Sequence, residues 1–241
     1  MSARFFCPVI TGPQAELDES ESHHALHVVR LNMGDEVELF DGSGATASAS
    51  VAGVTRKKVS LCITKSHAAV PQQRPRMVVA AAPPRGDRLK SMVEKLTELG
   101  VDEFIPLRTV RSVVDPRQSR LEKLRGTVLA AMKQCGRNRL MKIRETTELT
   151  VVLRNASTER QAVCIAHPGD VTGNSTVADG RDTLLLIGPE GGFTREEVLQ
   201  ATDYGATRVS WADGILRIET ATVVFASLLM NQLRQLALET K

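Results

Sequence analysis

The chain has 241 residues and a net charge of +3, with 42% hydrophobic and 24% charged residues, a composition typical of a globular protein with one large or two small domains. No apolar run approaches the roughly 20 residues that a membrane-spanning helix needs, and the first residues lack the cleavage site of a signal peptide, so a cytoplasmic protein without membrane association is expected.

The four cysteines, Cys7, Cys62, Cys135 and Cys164, form no C-x-x-C pair, which argues against the usual zinc and redox motifs and predicts reduced thiols.

Residues 1–70 are predicted to form a small β-rich domain. Residues 35–53 alternate apolar and polar side chains around the turn sequence DGSG, and residues 57–64 are a further predicted strand. One short helix is predicted over residues 19–31. Residues 68–77, with two prolines and no periodicity, are predicted to be a linker.

From residue 77 to 241 the predicted strands and helices alternate, which indicates an α/β domain with a mainly parallel sheet. Strands are predicted over residues 77–84, 101–109, 162–168, 183–190 and 207–212. Helices are predicted over residues 86–100, 115–136, 194–205 and 219–239. The last helix is apolar around much of its circumference, which predicts burial within the domain or against another subunit.

Residues at the ends of these helices fit known end signals. Asp115 is a candidate N-cap, with Pro116 in the first turn, and Gly100 is a candidate C-terminal stop. Thr194 and Glu197 have the spacing of a capping box, in which each side chain accepts a hydrogen bond from the backbone of the other.

Positive charge is concentrated between residues 108 and 144. This segment contains eleven Lys and Arg against two acidic residues, a net charge of +9, and since the whole chain carries +3 the remainder carries −6. Such a basic block favours a polyanionic partner, with nucleic acid as the first candidate. The alternative is a set of solvated helix faces.

Two glycine-containing loops, 188–193 and 212–218, each follow a predicted strand and lead into a helix. In open α/β sheets, ligands bind beyond the carboxyl ends of the strands, and glycines allow a ligand to approach the backbone closely. The first loop, GPEGGF, lacks the Lys of a phosphate-binding P-loop, and no G-x-G-x-x-G is present. The alternative is that both loops are tight connections that bind nothing.

The two loops with their flanking residues, LLLIGPEGGFTREEV and GILRIETATVVFASLL, resemble the SPOUT class of RNA methyltransferases. More closely, they resemble the RsmE family, which methylates N3 of a uridine in 16S rRNA. The segments HHALHVVRLNMGDEVELFDG, GDRLKSMVEKLTELGVDEFIPLRTVRSVV and KQCGRNR fit the same family, so the resemblance covers nearly the whole chain.

The resemblance implies a trefoil-knotted SPOUT domain over residues 77–241 and an RNA-gripping, PUA-like β-barrel domain over residues 1–70. It also implies S-adenosylmethionine as cofactor, 16S rRNA or the assembled small ribosomal subunit as partner, and a homodimer with its active sites at the subunit interface. A metal is not expected.

The family motif also assigns residues to the cofactor. The residues expected to line its site, mainly through backbone groups, are Gly188, Glu190, Gly191 and Gly192. Those expected to hold the adenine through apolar contact and backbone amides are Ile187, Ile215, Leu216 and Ile218. For Glu190 two roles stay open, which are contact with the cofactor and support of the loop's shape.

Arg217 and Glu219 are the candidate catalytic residues. N3 of uridine is a poor nucleophile while it carries its proton, and a nearby cation such as Arg217 would stabilise the negative charge that develops on the ring oxygens. Glu219 would orient Arg217 or accept the proton. The alternative for Glu219 is a structural role, because an acidic residue in the first turn suits the helix dipole.

The remaining candidates concern RNA. The expected RNA-binding residues are His23, His27, Arg30, Arg85, Arg88, Arg137 and Arg139. His23 and His27 are one helical turn apart, but no carboxylate or Cys completes a metal site with them.

One departure from the family pattern is Ala212-Asp213-Gly214, where the family usually has an arginine ahead of the ILR sequence. Two alternative functions therefore stay open. One is a SPOUT methylase with another RNA target, such as a ribose 2′-hydroxyl, and the other is a non-catalytic rRNA-binding assembly factor.

Overall fold

The computed structural model describes residues 2–168, 177–212 and 214–239, which group into two compact units. The first unit contains residues up to Pro71 together with Met132–Leu140, and the second contains Gln72–Ala131 and the residues from Met141 onward. The boundary at residue 71 falls inside the segment predicted as a linker. Segment 132–140 differs from the prediction, because it groups with the first unit although the sequence assigned it to the C-terminal domain.

Among the described residues, the first unit has a sheet of five strands in the order β1-β3-β4-β5-β2. The strands are β1 (Ala3–Phe6), β2 (Gln14–Glu16), β3 (Glu36–Phe40), β4 (Thr46–Val54) and β5 (Val59–His67). Their inward-facing side chains form one core around Phe5, Leu39 and Leu61. The DGSG turn joins β3 to β4, where Asp41 Oδ1 accepts a hydrogen bond from Ser43 N at 2.7 Å.

The single helix predicted in this unit consists of two pieces, α1 (Glu19–His23) and a π-helix (His24–Val29). Asp18 caps α1 with its side chain, and the wide turn ends at Arg30, whose left-handed backbone (φ 63°) donates back to Ala25 O. A π-helical turn is rare and is frequently found at functional sites.

Hydrogen bonds explain why residues 132–140 belong to the first unit. Lys133 Nζ donates to Glu21 Oε1 at 2.7 Å, and both side chains are largely buried. Leu140 N donates to Gly42 O at 2.8 Å. This segment therefore completes the first unit from a distant part of the chain.

The second unit contains a seven-stranded sheet among its described residues, and every pairing in it is parallel. The strand order is β12-β10-β11-β6-β7-β8, and β9 also pairs with β7. The strands are β6 (Met77–Ala81), β7 (Glu103–Arg108), β8 (Lys142–Ile143), β9 (Thr147–Glu148), β10 (Ala162–Ala166), β11 (Thr183–Ile187) and β12 (Thr207–Val209). The mainly parallel sheet is as predicted, and the trefoil knot stays a prediction.

Helices cover both faces of this sheet. The helices from residue 88 onward are α2 (Arg88–Leu99), α3 (Gln118–Cys135), whose last residues belong to the first unit, α4 (Leu149–Thr158), α5 (Arg195–Asp203) and α6 (Ile218–Glu239). On one face, Leu153 of α4 and Ala201 of α5 pack against Val78, Leu184 and Ile165. On the other face α6 contacts β6 and β11 and packs against α2.

Two of the predicted helix ends are confirmed, and one helix start is wrong. Gly100 ends α2 in the left-handed region (φ 94°), and the capping box of α5 is present. Helix α3 begins at Gln118 instead of next to Asp115, whose side chain forms an ion pair with Arg108. That ion pair occupies the carboxylate that was predicted to cap the helix.

Candidate functional site

The second unit has a cavity of about 350 Å³ at the carboxyl ends of three neighbouring strands. β10, β11 and β12 end at Ala166, Ile187 and Val209, which are register partners across the sheet, and all three residues line the cavity. Loops and helix N-termini converge at this edge of a parallel sheet, which is why such folds bind ligands there.

Every residue that the sequence assigned to cofactor binding lines this cavity. These residues are Ile187, Gly188, Glu190, Gly191, Gly192, Ile215, Leu216 and Ile218. The two loops singled out by their sequence therefore close on one space.

The glycines of the first loop allow a tight turn with little free volume. A Cβ at Gly188 would lie 3.0 Å from the ring of Phe193, which is itself buried. Gly192 has a left-handed backbone (φ 68°) and donates its N–H to Pro189 O at 2.8 Å. The loop is thus a closed turn packed onto an aromatic ring.

A network of hydrogen bonds anchors this loop to the rest of the unit. Glu197 Oε2 accepts from Thr194 N and Glu197 Oε1 accepts from Val110 N, both at 2.8 Å. Arg111 Nη1 donates to Gly191 O at 2.6 Å. Glu197 therefore does more than cap α5, because it also holds the segment that follows β7.

Sequence reasoning missed several residues that line the cavity. They are Arg111, which follows β7, His167 and Pro168, which follow β10, and Phe225 of α6. A signal for three of them was present, because each follows a strand whose carboxyl end lies at the same edge of the sheet. Phe225 packs against Trp211 with ring centroids 5.2 Å apart and ring planes tilted by 32°, and no local pattern predicts that contact.

Glu190 is exposed, and its side chain makes no hydrogen bond or ion pair within the described parts of the chain. The shape of the loop is instead held by Arg111, Glu197 and the turn at Gly192. Two roles were considered for Glu190. The described contacts of its side chain include none that would support the shape of the loop. A contact with a bound molecule stays a prediction.

Arg217 and Glu219 lie at the start of α6, next to the cavity. The side chain of Arg217 is exposed, while that of Glu219 is 19% exposed. Glu219 Oε1 lies 3.5 Å from Arg88 Nη1, and Glu219 Oε2 is buried without a hydrogen-bond partner in the described structure. Glu219 therefore pairs with Arg88 and not with Arg217, since side chains two positions apart at a helix do not face each other.

The loop that leads into α2 presents the other two arginines predicted on the RNA side. Arg85 is exposed, and Gly86 has a left-handed backbone (φ 65°). Gly86 O accepts a hydrogen bond from Arg120, which fixes the loop to α3. Arg88, the first residue of α2, has its guanidinium directed to Glu219.

In the first unit, His23, His27 and Arg30 are exposed together around the π-helix, with the two imidazole rings 4.6 Å apart. The guanidinium of Arg139 donates to Ser43 O at 2.6 Å and also to Val70 O, and its predicted role in RNA binding stays a prediction. Arg137 is half-buried.

The basic block is largely engaged in contacts within the chain. Its partnered residues are Arg108, Arg111, Arg120, Lys133, Arg139 and Arg144. The guanidinium of Arg144 pairs with the buried carboxylate of Glu103, and this hydrogen bond raises the pKa of Arg144. Charge counted along the sequence therefore overstates the charge available to an RNA.

Ala212 and Gly214 line the cavity, while Asp213 lies outside the described residues. No cluster of potential metal ligands occurs among the residues described, and none of the described helices is both long and apolar enough to span a bilayer.

Comparison with known proteins matches both units to RNA methyltransferases. The model of the RNA methyltransferase domain matches residues 71–230, and that of the RNA methyltransferase PUA domain matches residues 17–63. A relative from Bacillus subtilis, named ribosomal RNA small subunit methyltransferase E, is 28% identical over 91% of each chain.

Two solved structures have the same fold over nearly their whole length. A methyltransferase from Legionella pneumophila, solved with the bound cofactor SAM, superposes with a TM-score of 0.87 at 28% identity, covering 96% of this chain and 98% of its own. An rRNA methyltransferase from Porphyromonas gingivalis superposes with a TM-score of 0.85 at 29% identity, covering 97% and 99%. This chain belongs to the RNA methyltransferase domain family.

Proposed function

We propose that this protein transfers a methyl group from S-adenosylmethionine to N3 of a uridine in small-subunit (16S) rRNA, acting in the cytoplasm. The observation that carries the proposal is the convergence of loops 188–193 and 212–218 on one cavity at the carboxyl edge of the sheet. These two loops also carry the sequence resemblance to the uridine-N3 methyltransferases. The similarity to named rRNA methyltransferases supports the same substrate class.

The lining of the cavity fits S-adenosylmethionine. Ile187, Leu216 and Ile218 offer an apolar surface for an adenine ring, and the backbone of Gly192 and Gly214 is approachable because nothing lies within 4 Å of a Cβ placed there. A cavity of about 350 Å³ is within the size range of sites for small ligands.

When bound in this cavity, S-adenosylmethionine would supply the methyl group for N3 from its sulfonium, and the electron pair of the C–S bond would remain on sulfur as a thioether. The protein positions the base and changes its charge. Glu219 Oε2, buried and without a partner in the described structure, accepts the proton from N3. Arg217 stabilises the negative charge that then spreads onto the ring oxygens, and Arg88 holds Glu219 in place.

We also propose that two copies of the chain form the active dimer. Large apolar side chains are exposed beside the cavity, with Ile215 92% exposed and Val110 78% exposed, and α6 exposes Leu228. Exposed apolar groups of this kind mark interaction surfaces. Light scattering of the purified protein tests this proposal, and a monomeric mass at micromolar concentration would exclude it.

Calorimetric titration with S-adenosylmethionine separates the enzyme from a non-catalytic assembly factor, which would give neither heat nor a thermal shift at saturating cofactor. Mass mapping of 16S rRNA from strains with and without the gene then identifies the product. Loss of a base methyl from a uridine supports the proposal, whereas loss of a ribose methyl favours a 2′-O-methylase.

The first unit is proposed to bind the rRNA through the exposed side chains of His23, His27 and Arg30 at the π-helix. Arg85 and Arg137 are proposed as further contacts. Binding through phosphates weakens as salt increases, so filter binding of a 16S rRNA fragment over a salt series tests this part.

A further inference from the structure

Arg111 is a cavity-lining residue outside the two glycine-containing loops, and the proposed mechanism gives it no role. It follows β7 and extends across the first loop, where Nη1 donates to Gly191 O at 2.6 Å. A Cβ at Gly191 would lie 3.2 Å from Arg111 Cδ, so the absence of a side chain at position 191 lets the arginine lie against the loop.

The guanidinium has unused hydrogen-bonding capacity. Arginine carries five N–H donors, and Gly191 O is the acceptor that Arg111 has within the described parts of the chain. With one Nη1 hydrogen engaged, the fork of Nε and Nη2 remains. That fork has the geometry that binds a carboxylate through two parallel hydrogen bonds.

Few of the residues that line the cavity are charged. Among the described residues that line the cavity, Arg111 supplies the permanent positive charge and Glu190 the negative charge, and most of the others are glycine, proline or apolar. An amino-acid group, which carries one carboxylate and one ammonium, matches that pair of charges. An adenine ring or a ribose matches neither.

We infer that Arg111 binds the α-carboxylate of the methionine portion of the cofactor and thereby selects S-adenosylmethionine over analogues that lack this carboxylate. The inference rests on the proposed cofactor. It assigns Arg111 two roles, since the same guanidinium braces Gly191 and contacts the ligand.

The test compares two ligands by calorimetry, S-adenosylmethionine and its decarboxylated analogue, which keeps the adenosine, sulfonium and amine. The wild-type protein should bind the former about tenfold more tightly or better, as expected for a charge-assisted pair of hydrogen bonds. In Arg111→Met this ratio should fall to about one. Arg195→Met is the matched control, because Arg195 follows the same loop but does not line the cavity, and it should retain the wild-type ratio.

The outcomes are distinct. If Arg111 only supports the loop, Arg111→Met lowers the affinity for both ligands by the same factor. The affinity ratio then stays at the wild-type value, which overturns the inference. A wild-type protein that binds both ligands equally also overturns it while leaving the proposed cofactor intact. If neither ligand binds the wild-type protein, the proposed function fails and the inference fails with it. Arg111→Lys, which keeps the charge without the fork, gives an intermediate ratio and provides the test if the Met variant does not fold.

Discussion

Glu219 Oε1 lies 3.5 Å from Arg88 Nη1, and these two side chains come from the first turns of two different helices, α6 and α2. The other oxygen of this carboxylate, Oε2, is buried and unpartnered among the described residues. A buried acceptor without a donor costs about 1–3 kcal/mol, and a substrate N–H would remove that cost. The carboxylate of Glu219 is therefore held by a cation at one oxygen and lacks a hydrogen-bond donor at the other.

Replacing Glu219 with Gln should lower kcat by about 10²–10⁴-fold, because an amide cannot accept the N3 proton. The Kd for S-adenosylmethionine should change less than about threefold, since Glu219 does not line the cavity. Single-turnover methylation and calorimetry measure the two quantities. Glu196→Gln, a change at an exposed residue of α5, is the control, and a kcat for Glu219→Gln equal to that of the control would remove Glu219 from the mechanism.

Arg217→Ala should reduce turnover far more than cofactor affinity. Its guanidinium is exposed and is proposed to act on the charge that develops in the transition state, a loss worth about 10²-fold or more in kcat. Measuring kcat and the Kd for S-adenosylmethionine in parallel checks this. Unchanged turnover would contradict the assigned role.

Gly188→Ala should weaken cofactor binding and lower stability by about 1–3 kcal/mol, because the added Cβ would be 3.0 Å from the Phe193 ring and 3.3 Å from its backbone nitrogen. Gly191→Ala is the comparison, since the atom nearest to its Cβ is Cδ of the flexible Arg111 side chain, at 3.2 Å. Urea unfolding and calorimetry of both variants measure the difference. Equal effects of the two changes would show that the Phe193 ring does not constrain the loop.

Cys164 should be inert to thiol reagents in the folded protein. It is fully buried in β10, and burial raises its pKa from 9.0 to about 12, so that no thiolate forms near neutral pH. Cys62 and Cys135 are exposed and should react with Ellman's reagent at once, whereas Cys164 and the buried Cys7 should react only after unfolding.

The same pKa shift has a consequence for stability. The thiol of Cys164 ionises at a lower pH in the unfolded chain than in the folded one. Its contribution to the free energy of unfolding is therefore complete below pH 9. That contribution is lost as the pH rises toward 12, by up to about 1.4 kcal/mol per pH unit. Urea unfolding of Cys164→Ala should therefore show a shallower decline over this range than the wild-type protein. Identical slopes would count against the shift.

Local patterns predicted the parts of the site that lie within one stretch of chain. A buried strand followed by glycines placed Gly188 and Gly192 at the cavity, and the spacing of Thr194 and Glu197 predicted the capping box. Contacts between distant segments were not predictable in this way. The hydrogen bond of Arg111 to Gly191 spans 80 residues, and the ion pair of Arg88 with Glu219 spans 131.

The exposed charge of the basic block was likewise not predictable from the sequence alone. Its net charge of +9 indicated a nucleic-acid surface, yet Lys133 and Arg144 are paired with the buried carboxylates of Glu21 and Glu103. Helix α3 begins later than predicted for a similar reason, because Asp115 pairs with Arg108. Sequence composition counts charges, whereas the fold decides which of them are neutralised by a partner.

The membership of residues 132–140 in the first unit limits how the protein can be divided. A fragment ending at residue 71 would lack Lys133, the cation that pairs with the carboxylate of Glu21. A fragment of residues 1–71 is therefore expected to be less stable than the complete first unit. Transfer of the first unit to another protein would therefore have to include residues 132–140 as well as the N-terminal segment.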